Sequence, residues 1–152
     1  MSWYIILWFN IVEFIMKNSA KLDIDLNGKD NTGMTAFHYA CKFGPPHIAK
    51  MLIQKSTMFN INLKALENNG RTAFHLACFD DRKIIVEMMI ENAETLEIDL
   101  TAKDKDGKTG FHLAEKHGNK DIVNIIKRKL PNTEGSPPTG FFKTARGECC
   151  IL

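Results

Sequence analysis

Two histidine–cysteine pairs offer the most direct chemistry in the sequence: His75 precedes Cys78 in TAFHLAC, and His38 precedes Cys41 in TAFHYAC. A three-residue interval sets both side chains on one face of a helix, where an imidazole and a thiolate can share a zinc ion or act as base and nucleophile. A third group lies at the end, where Cys149 and Cys150 are followed by Ile151 and Leu152. This satisfies the C-a-a-X rule, in which Cys149 would carry a prenyl group, and the final leucine favours geranylgeranyl. No Ser/His/Asp grouping, phosphate-binding glycine loop or paired-carboxylate motif stands outside these segments, so no enzyme, cofactor or small-molecule substrate is expected.

The pairs recur because the whole sequence recurs. GMTAFHYACKFG, GRTAFHLACFDD and GKTGFHLAEKHG begin at Gly33, Gly70 and Gly107, each 37 residues after the last. IVEFIMKNSAKLDIDLNGKDNTG from Ile11 repeats the second half of the same unit. The chain therefore reads as three units preceded by half of another. In the third unit Glu115 stands where Cys41 and Cys78 stand in the others, which weakens a zinc site built from His-x-x-Cys pairs.

Each unit must hold its histidine on a short helix. DNTG, ENNG and DKDG are turn sequences whose glycines can take positive φ while an acidic side chain bonds the turn backbone. Thr35, Thr72 and Thr109 follow as N-caps. Phe74, Ala77 and Cys78 form an apolar stripe on a helix too short to survive without neighbours. Gly44, Asp81 and Gly118 end the first helices. Second helices then carry Ile48, Met51 and Leu52, next Ile85, Met88 and Met89, and last Ile122, Ile125 and Ile126. One such hairpin cannot bury both its faces, so the units stack into an all-α solenoid with one continuous core.

These residues resemble the ankyrin repeat, whose hallmark is Gly-x-Thr-Pro-Leu-His, then an alanine-rich helix, a glycine and a second helix. The likeness covers roughly residues 11 to 130. Ala36–Phe37, Ala73–Phe74 and Gly110–Phe111 replace the Pro-Leu of the hallmark, and the period exceeds the usual length of about 33. The extra residues fall in KSTMFNINLK and NAETLEIDLT, which predicts longer β-turn or hairpin fingers. The resemblance implies that His38, His75 and His112, with Thr35, Thr72 and Thr109, are structural, and that the cysteines lie where the family buries alanine. It implies a protein-binding surface made of turn tips and the exposed face of each first helix. Carried over by position, that surface includes Met34, Lys42 and Phe43, then Arg71, Phe79 and Asp80, then Lys108, Lys116 and His117. Phe43, Arg71 and Phe79 are the candidate anchors, since aromatic and arginine side chains dominate interface energies. The alternative for both phenylalanines is that they cover the next unit's helix.

With 152 residues, 44% hydrophobic and 25% charged, the chain fits one domain and a tail. The domain comprises a half repeat at 11–29 and repeats at about 30–66, 67–103 and 104–130. Twenty basic against eighteen acidic residues give no case for nucleic acid. Four cysteines form no disulfide framework, which favours a reducing, cytoplasmic setting over secretion. MSWYIILWFN lacks a signal peptide's basic region, and the apolar run falls short of the roughly 20 residues that span a bilayer. Residues 1–10 are expected to stand in for a missing first helix, with Trp3, Tyr4, Trp8 and Phe9 outward, as if the chain were cut from a longer array. After Leu130, PNTEGSPPTG reads as a flexible linker to the CCIL end, which resembles the lipidated tail of Ras-related small GTPases. A lone lipid anchors weakly, so acylation of Cys150 or a basic patch would be the second signal; Lys143 and Arg146 offer about 1 kcal/mol each. The expected function is a protein–protein adaptor, membrane-tethered through Cys149. Its rivals are a soluble or nuclear regulator with an incidental tail, and the targeting part of a larger protein, an enzyme among the candidates.

Overall fold

The structure is a computed structural model that describes residues 3–130, without the side chains of residues 3–6, 8 and 9. Seven helices follow one another among the described residues: α1 (Trp3–Asn18), α2 (Ala36–Lys42), α3 (Pro46–Lys55), α4 (Ala73–Phe79), α5 (Lys83–Asn92), α6 (Gly110–Lys116) and α7 (Lys120–Lys129). The pairs α2–α3, α4–α5 and α6–α7 are the hairpins of the three units. First helices α2, α4 and α6 stack in one layer and second helices α1, α3, α5 and α7 in another.

Each first helix begins where the threonine stops the turn. Thr35, Thr72 and Thr109 are extended N-caps whose hydroxyls accept the N–H of His38, His75 and His112, and each histidine ring returns the bond to its threonine's N–H. This reciprocal cap satisfies two backbone donors that the helix itself leaves open. Gly118 and Asp81 end their first helices at φ 72° and 53°. Gly44 does not take positive φ; a Cβ there would come within 2.9 Å of the Ala40 Cα, so glycine is needed for room.

The core runs between the layers. Phe37, Cys41, Met51, Ile53, Phe74, Cys78, Ile85, Met89, Ile122 and Ile126 are all buried in one cluster. Polar ties join unit to unit along it. Nδ2 of Asn119 donates to the carbonyls of Cys78 and Phe79 at 2.8 and 3.0 Å, and Arg82 donates to the Gly44 carbonyl. Arg128 pairs with Glu87, Lys129 with Glu91 and Lys83 with Asp121 across α5 and α7.

Two expectations change. The residues expected to lengthen the fingers lie instead at the ends of the second helices: 56–60 and 93–97 are turns that follow directly on α3 and α5. Asn60 and Glu97 then take φ 49° and 51°, and the N–H groups of Ile61 and Ile98 reach back to the carbonyls of Ser56 and Ala93. A left-handed residue followed by a buried aliphatic closes the helix end, so the insertion is spent there before the finger starts. The segment 1–10 is likewise no separate stand-in for a first helix. From Trp3 it runs unbroken into the half unit's second helix as α1, because no glycine or proline interrupts it and Asn10 alone does not break the helix. The expected outward face of Trp3, Tyr4, Trp8 and Phe9, and the tail from residue 131 with Cys149 and Cys150, lie outside the described residues.

Candidate functional site

The fingers are built by a carboxylate that captures its own turn. Asp30 Oδ1 accepts the N–H groups of Thr32 and Met34, Glu67 Oε1 those of Asn69 and Arg71, and Asp104 Oδ1 those of Asp106 and Lys108. Gly33, Gly70 and Gly107 complete these turns at φ 72–78°. Neighbouring tips are joined by the Asn68 N–H to the Thr32 carbonyl and the Lys105 N–H to the Asn69 carbonyl, both at 2.9 Å. Tips and first helices thus form one continuous face.

The histidines belong to this scaffold. Because His75 Nδ1 accepts the Thr72 N–H at 3.2 Å, the ring proton sits on Nε2, which donates to the Lys108 carbonyl of the next unit at 3.1 Å. His38 makes the same pair of bonds to Thr35 and the Arg71 carbonyl. Burial holds both imidazoles below their ordinary pKa, and therefore neutral. Cys41 and Cys78 are fully buried, and burial pushes both thiols far up, away from the reactive thiolate. A metal or a nucleophile would need nitrogens and sulfurs that are already committed. Among the described residues no group of three or more His, Cys, Asp or Glu could hold a metal ion.

The surface residues divide into two clusters. In the first unit Phe43 is 64% exposed, with the Lys42 ammonium 4.8 Å from its ring centroid. Tyr39, which the sequence reading missed, stands 6.1 Å from Phe43 and donates its hydroxyl to Asp30 Oδ2 at 2.6 Å. The Tyr39 and Thr32 hydroxyls bring the Asp30 carboxyl down to about 2, and the bond to Asp30 in turn raises the Tyr39 phenol. The signal for Tyr39 was present, since Leu76 and Leu113 occupy its position in the other units and are buried.

The second cluster joins units two and three. Arg71 Nε donates to Asp104 Oδ2 at 3.3 Å, and its guanidinium carbon lies 5.7 Å from the Phe79 ring centroid. The His117 ring packs on Phe79 as well, with centroids 4.1 Å apart. Burial alone would raise the Asp104 carboxyl, but the N–H of Lys108 and the Arg71 side chain outweigh it and hold it below the ordinary value. Phe79 therefore covers the next unit as well as lining the face, whereas Phe43 is left open. Asp80 is half-buried with Oδ2 unpartnered, and Lys108 and Lys116 are exposed. Met34 departs from expectation: it is 8% exposed and unavailable to a partner. Arg71 and Lys108 at the same repeat position keep a charge in water, and an uncharged thioether has no such reason to stay outside.

The arrangement sets aromatic rings, cations and carboxylates together on one face. The family model for ankyrin repeats in many copies matches residues 18–77, and that for ankyrin repeats in three copies matches residues 57–134, more than half of the chain. Comparison with curated proteins finds no match. With the capped helix pairs, the histidine ties and both matches in agreement, the chain belongs to the ankyrin-repeat family.

Proposed function

We propose that the chain is an adaptor that captures another protein on its first-helix and finger face and is held at the cytoplasmic face of a membrane by a geranylgeranyl group on Cys149. Ankyrin repeats are protein–protein interaction modules, and the repeat match carries that part of the reading. The observation that supports the choice of face is Phe43, a large aromatic left open beside Lys42 and Tyr39 on a rigid first helix. Support for the tether is the sequence Cys149-Cys150-Ile151-Leu152. Cys150 is the site for a second, acyl anchor.

Proximity labelling in eukaryotic cells with wild type, Cys149→Ser and Phe43→Ala separates the two parts. Cys149→Ser should move the chain from membrane to soluble fractions while keeping its partner. Phe43→Ala should stay at the membrane and lose the partner. A wild-type chain that is unmodified by mass spectrometry and fully soluble overturns the tether; a partner retained by Phe43→Ala overturns the face.

A further inference from the structure

Each of α3, α5 and α7 packs its apolar side on the first helix of its own unit, and among the described residues α1 has no such helix. Its exposure shows the consequence. Ile11 is 40% exposed where Ile85 and Ile122 are fully buried; Phe14 is 62% exposed where Met51 is 2%; Ile15 is 37% exposed where Met89 is fully buried. Leu7, one turn earlier, is 56% exposed.

We propose that this face is a self-association surface, on which α1 of a second copy of the chain packs to give a closed two-fold pair. Leu7, Ile11 and Phe14 are spaced by four and three residues, and Asn18 follows after four more. That spacing makes a narrow seam suited to another helix, with one polar position to fix register. The α6–α7 side, at the other end of the described residues, is a poor match for it. There Glu115 is exposed at the position of Cys41 and Cys78, and Lys127 is exposed at that of Ile53 and Ile90. An apolar end that finds only a polar end has no head-to-tail contact to make, which leaves like against like. Glu13 and Lys17, the charged residues of α1, pair with each other, so no unpaired like charge opposes the approach. The same poverty of cations sets α1 apart from helices that lie on membranes, whose polar faces are rich in Lys and Arg.

Sedimentation velocity of the full, unlipidated chain under reducing conditions tests this. The expected result is twice the mass of one chain for wild type and for Ile84→Glu, a control at an exposed position of α5. Ile11→Glu/Phe14→Glu should run at the mass of one chain with unchanged helical circular dichroism and a cooperative melt. The wild-type mass decides even if that variant fails to fold, since a single-chain mass at every soluble concentration overturns the proposal. So does a ladder of higher masses, or a two-chain mass that persists in a folded double variant. Uptake of monomeric wild type, but not the double variant, by phosphatidylcholine/phosphatidylserine vesicles would assign the face to lipid instead.

Discussion

The three Thr–His caps are alike in sequence but not in surroundings, and that difference sets a measurable order of stability. Replacing His75 by alanine removes the acceptor for the buried Thr72 N–H and the donor to the Lys108 carbonyl, and it empties a site that is almost fully closed. A buried donor left without a partner costs about 1–3 kcal/mol, the lost bond to the next unit about 1, and the cavity about 1 more, giving roughly 3–5 kcal/mol. His112 makes the same cap, but Thr109 and the ring are half-buried, so water can take over the freed N–H. His112→Ala should then cost about 1 kcal/mol, the ordinary loss of a cap. Urea unfolding reads the contrast. With a slope of about 2 kcal/mol per molar, the midpoint falls by roughly 2 M for His75→Ala and by roughly 0.5 M for His112→Ala.

Acid provides a second axis on the same residue. The folded pKa of His75 lies below its free value of 6.5, so between the two the unfolded chain binds more protons than the folded chain. Stability from this group is complete above 6.5 and is lost as pH falls through that value towards the folded pKa. His38 acts in the same window and sense. Wild type should lose stability between about pH 7.5 and about pH 5.5, and His75→Ala should lose measurably less over that interval. Equal midpoint shifts for the His75 and His112 variants, or an unchanged acid dependence without His75, would refute the inter-unit role assigned to this imidazole.

Three further outcomes follow from local geometry. Asp81→Gly should stabilise by about 0.5–1 kcal/mol, because Asp81 holds φ 53° where Gly118 serves in the next unit; a lower melting temperature would count against this. Gly110→Ala should destabilise by about 1–3 kcal/mol, since its Cβ would meet Phe74 ring carbons at 2.9 Å and the Cys78 sulfur at 3.0 Å; denaturant unfolding should show no such loss if the contact relaxes freely. Phe43→Ala should leave stability within about 0.5 kcal/mol, while Phe79→Ala, which strips the contacts to His117 and Arg71, should cost about 1–2 kcal/mol; thermal melts that rank them the other way would reassign which ring faces the partner.

Most of the architecture was legible because it rests on residues that repeat. A threonine three before a histidine, an acid three before a turn glycine and an apolar stripe at helical spacing each have one local solution, and the 37-residue period shows it three times over. What escaped depends on whether neighbours are present. The insertion after α3 and α5 carries residues that suit either a finger or a closing turn at the helix end, and tertiary burial of Ile61 and Ile98 favours the closing turn. Met34 and Tyr39 were misjudged or missed for a related reason. Position in the unit placed Met34 on the face and left Tyr39 off it, but side-chain chemistry then buried the thioether and kept the phenol outside on Asp30.

The same division locates specificity. Side chains shared by all three units have their bonding capacity committed within the scaffold: the threonine hydroxyls to the helix, the acids to the turns, and His38 and His75 to the following unit. Such groups fix the shape of the face and cannot discriminate one partner from another. Discrimination must come from positions where the units differ and side chains stay in reach of solvent. On the face proposed for the partner these are Tyr39, Lys42 and Phe43 in the first unit, and Arg71, Phe79, Lys116 and His117 across the second and third. One cluster is open and the other is locked by its own contacts, so a partner can bury Phe43 without displacing any protein contact, but must reach the Phe79 ring through Arg71 and His117. On the proposed face the first unit would therefore offer binding energy, and the second and third a fixed pattern of charge for a partner to match.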